Sequence, residues 1–461
     1  MPKHCYNHGW WYGIDACERG EVVTNVTKLS AEYNNKTSEY LAGGVHYNFR
    51  RSWDATKVHF KDGKGTRVWD LDSNEYLDFF CKFGANILGH KNTEYIEAIK
   101  SALDMIVATN LSYIEYDLCK KICENFNSID KVRFSLSGTE AVQNALRLAR
   151  AYTGKSKFIR FISHYHGNAD NIMGGKPVND VDYYPIEYNG DPRGTYGRAT
   201  GIMESQSYIL PWNNIDILKA FVETHKDQVA AIITEPICVN TKSMTPSPVY
   251  LDTLRSLCTQ NNIVLIFDEV ITGFRVSLGG AQRLFGIKPD LTVLGKAISG
   301  GAMPLSVIGG KREIMDLYGT NKVTHGGTFN GYTLGLVAAN KTIDILSRNN
   351  GEVYKHMEEH FSELLAKFKE TASNYGFSID IHGHPTCSSF SCRKWEPNLH
   401  IPPDMLETVL SRAMFDHGVL LSNTTTFYSN IAICKDDIDL FCSRLDAIFE
   451  HSVNKLKNMK V

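Results

Sequence analysis

Short apolar runs rich in β-branched and aromatic residues punctuate the middle of the chain: Val132 to Leu136, Phe158 to Ile162, Val229 to Thr234, Ile263 to Phe267 and Leu291 to Leu294. Most are separated by stretches whose apolar residues recur at helical spacing, such as Ala141 to Ala151 and Tyr250 to Thr259. The runs do not alternate strictly between apolar and polar positions, which is the pattern of strands covered on both faces. Strands of this kind spaced by helices predict an α/β domain on a mostly parallel sheet.

Outside that block the pattern changes. Thr66 to Phe80 reads as a hairpin with a polar turn at Asp72 to Asn74. From about Gly351 the chain mixes amphipathic helices, over Glu352 to Thr371, Pro403 to Asp416 and Asp437 to Leu456, with short strands. No internal repeat, low-complexity tract or linker divides the sequence, so domains must be assembled from interleaved segments. The expected division is an extension over residues 1–40, a first part of a small α+β domain over 41–105, a large domain over 106–349, and the rest of the small domain over 350–461.

Composition narrows the function classes. A chain of 461 residues with 43% hydrophobic and 22% charged content can bury substantial cores, which excludes disorder, collagen and a coiled coil as the main architecture. The formal charge of −2, with no basic block, speaks against nucleic acid as a principal partner. Neither a signal-type apolar region behind the N-terminal charge nor an uncharged apolar run of spanning length occurs, so no membrane partner is expected and the expected location is cytoplasmic. Eleven scattered Cys agree with free thiols in a reducing compartment.

The candidate chemistry sits at strand ends. Ile263 to Phe267 delivers Asp268 and Glu269 at its C-terminal end, where ligands bind in open parallel sheets. Asp268 there is either an acid for a cationic ring nitrogen or a helix cap or Mg²⁺ ligand. Leu291 to Gly295 ends at Lys296 among small residues; desolvation would favour its neutral, nucleophilic amine, although most Lys residues are surface cations. Val132 to Leu136 turns through Ser137, Gly138 and Thr139 into a helix, an anion site by its N–H groups and dipole, or a plain capping box with Glu140. Tyr165 and His166 follow another strand, with Tyr165 able to stack on a planar cofactor, and Thr328 lies in the Gly-rich loop from His325 to Gly331. His382, His384, Cys387 and Cys392 match no standard zinc spacing and read as structural, so no metal is expected.

In this order the pieces resemble the class III, ornithine aminotransferase-like, pyridoxal-phosphate aminotransferases, nearest to the glutamate semialdehyde aminomutase branch. The signature stretch runs from Leu265 through Arg275 and from Pro289 to Lys296, and the similarity extends from about Leu41 to the C-terminus. The resemblance implies fold type I, with a mostly parallel seven-stranded sheet in the large domain and an α+β small domain. It implies pyridoxal 5′-phosphate as cofactor, with Lys296 forming the internal aldimine and shuttling the proton. Asp268 would hold the pyridine nitrogen protonated. Ser137, Gly138 and Thr139 match the phosphate cup, Tyr165 the stacking aromatic, with His166 beside it, and Glu235 a supporting acid. Thr328 matches the residue that reaches the phosphate from a neighbouring subunit, which implies a homodimer with shared sites.

Departures from the aminomutase pattern lie around the expected substrate pocket. The entry reads Gly43-Gly44-Val45-His46-Tyr47-Asn48-Phe49-Arg50, with Arg50 as a carboxylate partner and a bulkier Tyr47. Phe83 stands where a Trp is usual, and the late loop from Thr424 to Asn430, with Phe427, lacks the acid of the aminomutase gating region. The expectation is a ping-pong aminotransferase taking the amine from an amino-acid donor, L-glutamate first, to a ketone or aldehyde acceptor. The alternatives are an aminomutase or racemase/epimerase on the same scaffold, and a catalytically silent scaffold.

Overall fold

The computed structural model describes residues 27–47, 57–105, 113–174, 176–177, 186–187, 207–422 and 425–459. Among these, Glu94 to Gly351 form one compact unit, and the residues up to Thr93 together with those from Glu352 form another. The larger unit begins earlier than the expected 106. Its helix Thr93–Asp104 buries Tyr95, whose hydroxyl donates to the Ser299 carbonyl at 2.6 Å, and Glu94 forms an ion pair with Arg348 at 2.5 Å. Within the expected extension, Lys28–Ser38 is a helix that belongs to the smaller unit, where the Leu29 N–H donates to Asp72 Oδ2 at 3.0 Å.

The larger unit is built on a seven-stranded sheet of β1 (Lys131–Ser135), β2 (Lys157–Phe161), β3 (Ser207–Leu210), β4 (Val229–Thr234), β5 (Val264–Glu269), β6 (Leu291–Leu294) and β7 (Ser306–Gly310). The strand order is β1-β7-β6-β5-β4-β2-β3, and only β7 runs against the others. Alternate residues of adjacent strands feed two cores. Ile233, Ile266, Leu291 and Val293 pack under the helix α1 (Gly138–Thr153), while Ile232, Leu265 and Phe267 pack against Leu218, Leu251 and Leu254 on the other face. Each such side chain contributes roughly 1.5–3 kcal/mol by leaving water, and two covered faces explain why the strands read as unbroken apolar runs.

β3 and β7 were not evident from the apolar pattern. β7 ends in Gly309-Gly310, a dipeptide that reads as a turn, but the glycines serve close approach. A Cβ at Gly309 would lie 2.7 Å from Ile129 Cγ2, and one at Gly310 would lie 2.4 Å from the Asp290 carbonyl oxygen.

In the smaller unit the expected hairpin is present, with Arg67–Asp70 pairing antiparallel to Glu75–Asp78. These strands join Phe60–Lys64 and Val419–Leu420 in one sheet. A second sheet contains β8 (Phe377–His384), β9 (Cys387–Trp395) and β10 (Thr426–Tyr428), packed with helices α2 (Glu352–Asn374), α3 (Pro403–Asp416) and α4 (Lys435–Asn458). His382 and His384 lie in the β8–β9 hairpin and bond locally, His382 to Ser391 Oγ at 2.7 Å and His384 to Thr386 Oγ1 at 3.0 Å.

Phe427 corrects one sequence expectation. It is not a pocket residue but part of β10, fully buried among the rings of Phe79, Phe368, Phe390 and Phe441 at centroid distances of 5.9 to 6.4 Å. The expected late loop contains a strand, in which Thr426 pairs with Ser389. Phe427→Ala is therefore expected to destabilise the protein by about 3–5 kcal/mol, read from urea denaturation; a pocket residue would cost well under half of that.

Candidate active site

Parallel strands deliver their C-terminal ends to one edge of the sheet, so the topology gathers residues that are far apart in sequence. β1 leads into Ser137, β2 into Tyr165 and His166, β4 into Glu235, β5 ends with Asp268 and Glu269, and β6 leads through Gly295 into Lys296. Because β4, β5 and β6 are adjacent, Glu235, Asp268 and Lys296 lie at neighbouring strand ends.

Asp268 and Glu269 face opposite ways, as successive strand residues must. Asp268 Oδ2 accepts from His166 Nδ1 at 2.7 Å and its Oδ1 accepts from the Val270 N–H at 3.1 Å, both in a buried setting. Glu269 instead accepts from Thr272 Oγ1, the N–H groups of Ala281 and Gln282 and the Gln282 side chain, all at 2.6–3.0 Å. Glu269 thus ties the following loop to the start of the helix Gly280–Phe285, and only Asp268 is available to a ligand at the sheet edge.

Lys296 has a φ of +47°, a left-handed conformation that costs a non-glycine residue about 1–3 kcal/mol and persists only where the surroundings enforce it. Burial pushes its ammonium below the usual range for lysine; Asp268 and Glu235 act the other way, and Arg275, itself fully buried, adds to the lowering. By surface area Lys296 is partly buried.

Glu235 is buried and its carboxyl is pushed up to about 7, first by burial; the nearby His166 opposes the shift and Asp268 adds to it. Its Oε1 accepts from the Tyr165 N–H at 2.8 Å, and Asn240 Nδ2 bridges both carboxylate oxygens at 3.0 and 3.1 Å. The Glu235 N–H donates to His164 Nδ1 at 3.1 Å, which leaves the His164 proton on Nε2. Asn240 and His164 were not singled out from the sequence, where only their nearness to strand ends distinguished them, and Arg275 entered only as the end of the signature stretch.

At the start of α1 the capping box is real: Ser137 Oγ accepts from the Glu140 N–H at 3.3 Å, and Glu140 Oε2 accepts from the Ser137 N–H at 3.0 Å. The two readings of this turn do not compete, since the box leaves the N–H groups of Gly138 and Thr139 without an acceptor among the described residues. The Thr139 hydroxyl, by contrast, is spent on the neighbouring loop, donating to Asn168 Oδ1 at 3.2 Å and accepting from the Asn168 N–H at 3.3 Å. Thr139 can therefore serve an anion through its backbone.

The remaining expected residues are placed as follows. Tyr165 is half-buried beside His166, and Thr328 is exposed on its glycine-rich loop, where His325 Nε2 lies 3.2 Å from Ser135 Oγ. Tyr47 and Phe83 meet in the smaller unit with ring centroids 5.9 Å apart. Phe83 lies in a left-handed turn with Cys81 and Lys82, at φ values of 45° to 55°. Arg50 lies outside the described residues.

These groups fit pyridoxal phosphate by their own chemistry. Unpaired N–H groups and a helix N-terminus suit a phosphate, a buried carboxylate suits a protonated ring nitrogen, and a desolvated amine suits an aldehyde. His166 Nε2 is buried with no hydrogen-bond partner, so polar capacity next to Asp268 is still unfilled. Gly138 and Gly295 flank Val270, where an added Cβ would come within 3.1 and 3.3 Å of its methyl groups, so the floor between phosphate turn and lysine has no spare room.

A strand-end aspartate, a strand-end lysine and a phosphate turn on one edge of a seven-stranded, mostly parallel sheet define a pyridoxal-phosphate-dependent transferase of fold type I. Comparison with known proteins carries this further: the pattern of the family Aminotransferase class-III matches residues 49–449, and the chain belongs to that family. It is 38% identical over 412 residues to a glutamate-1-semialdehyde 2,1-aminomutase of Chlorobaculum parvum, covering 86% of this chain and 92% of that protein. The enzyme of the same name from Persephonella marina is 35% identical over 356 residues, covering 75% and 79%. Among solved structures, an omega-transaminase from Sphaerobacter thermophilus superposes with a TM-score of 0.83 at 26% identity, covering 94% of this chain and all of that one.

The Glu235 shift makes a stability prediction. Between its ordinary value of 4.5 and about 7 the folded chain holds a proton that the unfolded chain releases, so stability falls as pH rises through that window. Glu235→Gln in the cofactor-free protein is expected to flatten this part of the profile, by up to about 3 kcal/mol between acid and neutral pH. Urea denaturation across the window checks it; an unchanged slope would show that Glu235 titrates normally.

Proposed function

We propose that this enzyme exchanges an amino and an oxo group between adjacent carbons of one small substrate, as a 2,1-aminomutase of glutamate-1-semialdehyde or a close analogue. The observation that carries the reading is the 38% identity over 412 residues to an aminomutase. An external-donor transaminase, favoured by the sequence departures, becomes the second reading. It keeps support from the aromatic Tyr47–Phe83 pair and from the likeness to the omega-transaminase.

Either outcome uses the same groups. Bound pyridoxal phosphate supplies an electron sink for the pair left when a proton leaves the amine-bearing carbon. The Lys296 amine, its pKa lowered by burial, takes that proton and returns it at the neighbouring position. Asp268, oriented by His166, holds its negative charge toward the ring nitrogen. Ser137 and the N–H groups of Gly138 and Thr139 hold the phosphate, Tyr165 covers the ring, and Glu235 with Asn240 borders it. Thr328, exposed on its loop, suits a contact with the phosphate of a second copy, which makes a homodimer the working unit. Tyr47, Phe83 and Arg50 are the substrate-side residues of this reading. For the second reading the partners are an amino-acid donor and a carbonyl acceptor.

The deciding experiment supplies the cofactor-loaded enzyme with glutamate-1-semialdehyde alone and, separately, with L-glutamate. Conversion of the semialdehyde to 5-amino-4-oxopentanoate with no donor supports the mutase. Stoichiometric release of 2-oxoglutarate from L-glutamate, with no isomer formed, supports the transaminase and sinks the mutase. Lys296→Ala is expected to lower turnover in whichever assay succeeds by about 10³-fold or more, with an unchanged circular dichroism spectrum; turnover near the unmutated rate would remove Lys296 from its role.

A further inference from the structure

The loops that follow β2 and β4 leave adjacent strands of the sheet and stay joined beyond the strand ends. Three hydrogen bonds cross between them. The Thr241 hydroxyl donates to the Ser163 carbonyl at 3.1 Å, the Tyr165 N–H donates to Glu235 Oε1 at 2.8 Å, and the Glu235 N–H donates to His164 Nδ1 at 3.1 Å. The first two use the backbone of the β2 loop. Side-chain identity in that loop enters only through the third, and it acts on the same residue that receives Tyr165.

Histidine is a poor choice for a residue that only fills space here. The imidazole is buried, with its ring centroid 5.6 Å from Phe161, 5.3 Å from Trp212 and 5.6 Å from His166. With Nδ1 accepting, the proton sits on Nε2, and that atom has no hydrogen-bond partner. A buried donor without a partner is destabilising, so an apolar ring would fill the same space better. Burial holds the imidazole well below its usual pKa, and His166 acts the same way, so Nδ1 stays an acceptor instead of gaining a proton that would break the bond. The ring also packs edge-on against His166, whose Nδ1 bonds to Asp268 at 2.7 Å. One buried side chain therefore touches the supports of both Tyr165 and Asp268.

We propose that His164 is a positioning residue for the cofactor: by holding the Glu235 backbone through Nδ1 it fixes the two loops against each other, and so sets the placement of Tyr165 relative to Asp268. This rests on the cofactor site assigned above and adds to it a residue that acts through Glu235 and Tyr165. A residue that only fills space would be replaced best by one of like size and lower polarity. A residue that positions by its acceptor is replaced best by one with an acceptor at the same place: asparagine carries Oδ1 where histidine has Nδ1, whereas phenylalanine keeps a ring and carries a C–H there.

The test compares His164→Phe and His164→Asn in the full-length enzyme, titrated with pyridoxal phosphate and followed by the visible absorption band and its circular dichroism. His164→Phe is expected to bind the cofactor about tenfold more weakly, the worth of one hydrogen bond, with a changed dichroic band. His164→Asn, despite its smaller side chain, is expected to stay within about threefold of the parent. Amide exchange at Glu235 is expected to rise in His164→Phe and to keep the parent rate in His164→Asn. Parent-like affinity in His164→Phe, or His164→Asn binding no better than His164→Phe, would overturn the proposal. Should His164→Asn fail to fold by thermal melting, exchange at Glu235 in His164→Phe decides, a parent rate overturning the proposal; should His164→Phe fail, a loss of about tenfold in His164→Asn overturns it. A parent enzyme that gains no visible band with the cofactor would sink the site assignment and this proposal with it, whereas a banded parent with an unaffected His164→Phe sinks the proposal alone.

Discussion

The hydrogen bond between His166 and Asp268 is the contact around which the rest of the site is arranged. A carboxylate buried at a strand end is stable only with partners, and Asp268 has two: the imidazole at 2.7 Å and the backbone N–H of Val270 at 3.1 Å. The first fixes the loop after β2 to the end of β5, and the second fixes the turn that follows β5. Through that turn Val270 comes to lie between Gly138 and Gly295, so the phosphate turn and the lysine-bearing loop are spaced by the same element that holds the acid. The buried carboxylate thus organises three loops at once.

Glu269 shows how the neighbouring residue serves a different purpose with the same chemistry. Four donors surround its carboxylate, yet burial still holds its pKa above the ordinary value, with those donors acting in opposition. The backbone of Gly280 passes so close that an added Cβ would lie 2.2 Å from Glu269 Oε2. One carboxylate of the pair is closed off by the protein and the other is left open at the sheet edge, a division that follows from the two-residue period of a strand.

Much of this was legible in the sequence, and the exceptions have physical causes. Helix Pro403–Asp416 fell where its periodicity placed it, and Gly138–Thr153 extended the expected Ala141 to Ala151 by a capping box and a terminal glycine. β7 escaped notice because glycines needed for close approach look like turn residues. Lys296 and Asp268 could be selected because their chemistry is rare at strand ends, but the strained backbone of Lys296 depends on tertiary packing that no local pattern encodes. Asn240 was missed because its partner, Glu235, lies beyond a turn whose shape sets the contact. Phe427 was placed at the substrate pocket by resemblance alone, while its actual setting, a nest of aromatic rings, is assembled from segments more than three hundred residues apart, such as Phe79 and Phe441.

The bond between Thr139 and Asn168 joins the phosphate turn to the loop carrying Tyr165 and His166, and it forms across Gly167, where an added Cβ would stand 2.4 Å from Thr139 Oγ1. Any side chain at 167 would wedge these two loops apart. The groups suited to the two ends of the cofactor are therefore machined to a common tolerance, and that tolerance is set by a residue with no side chain of its own.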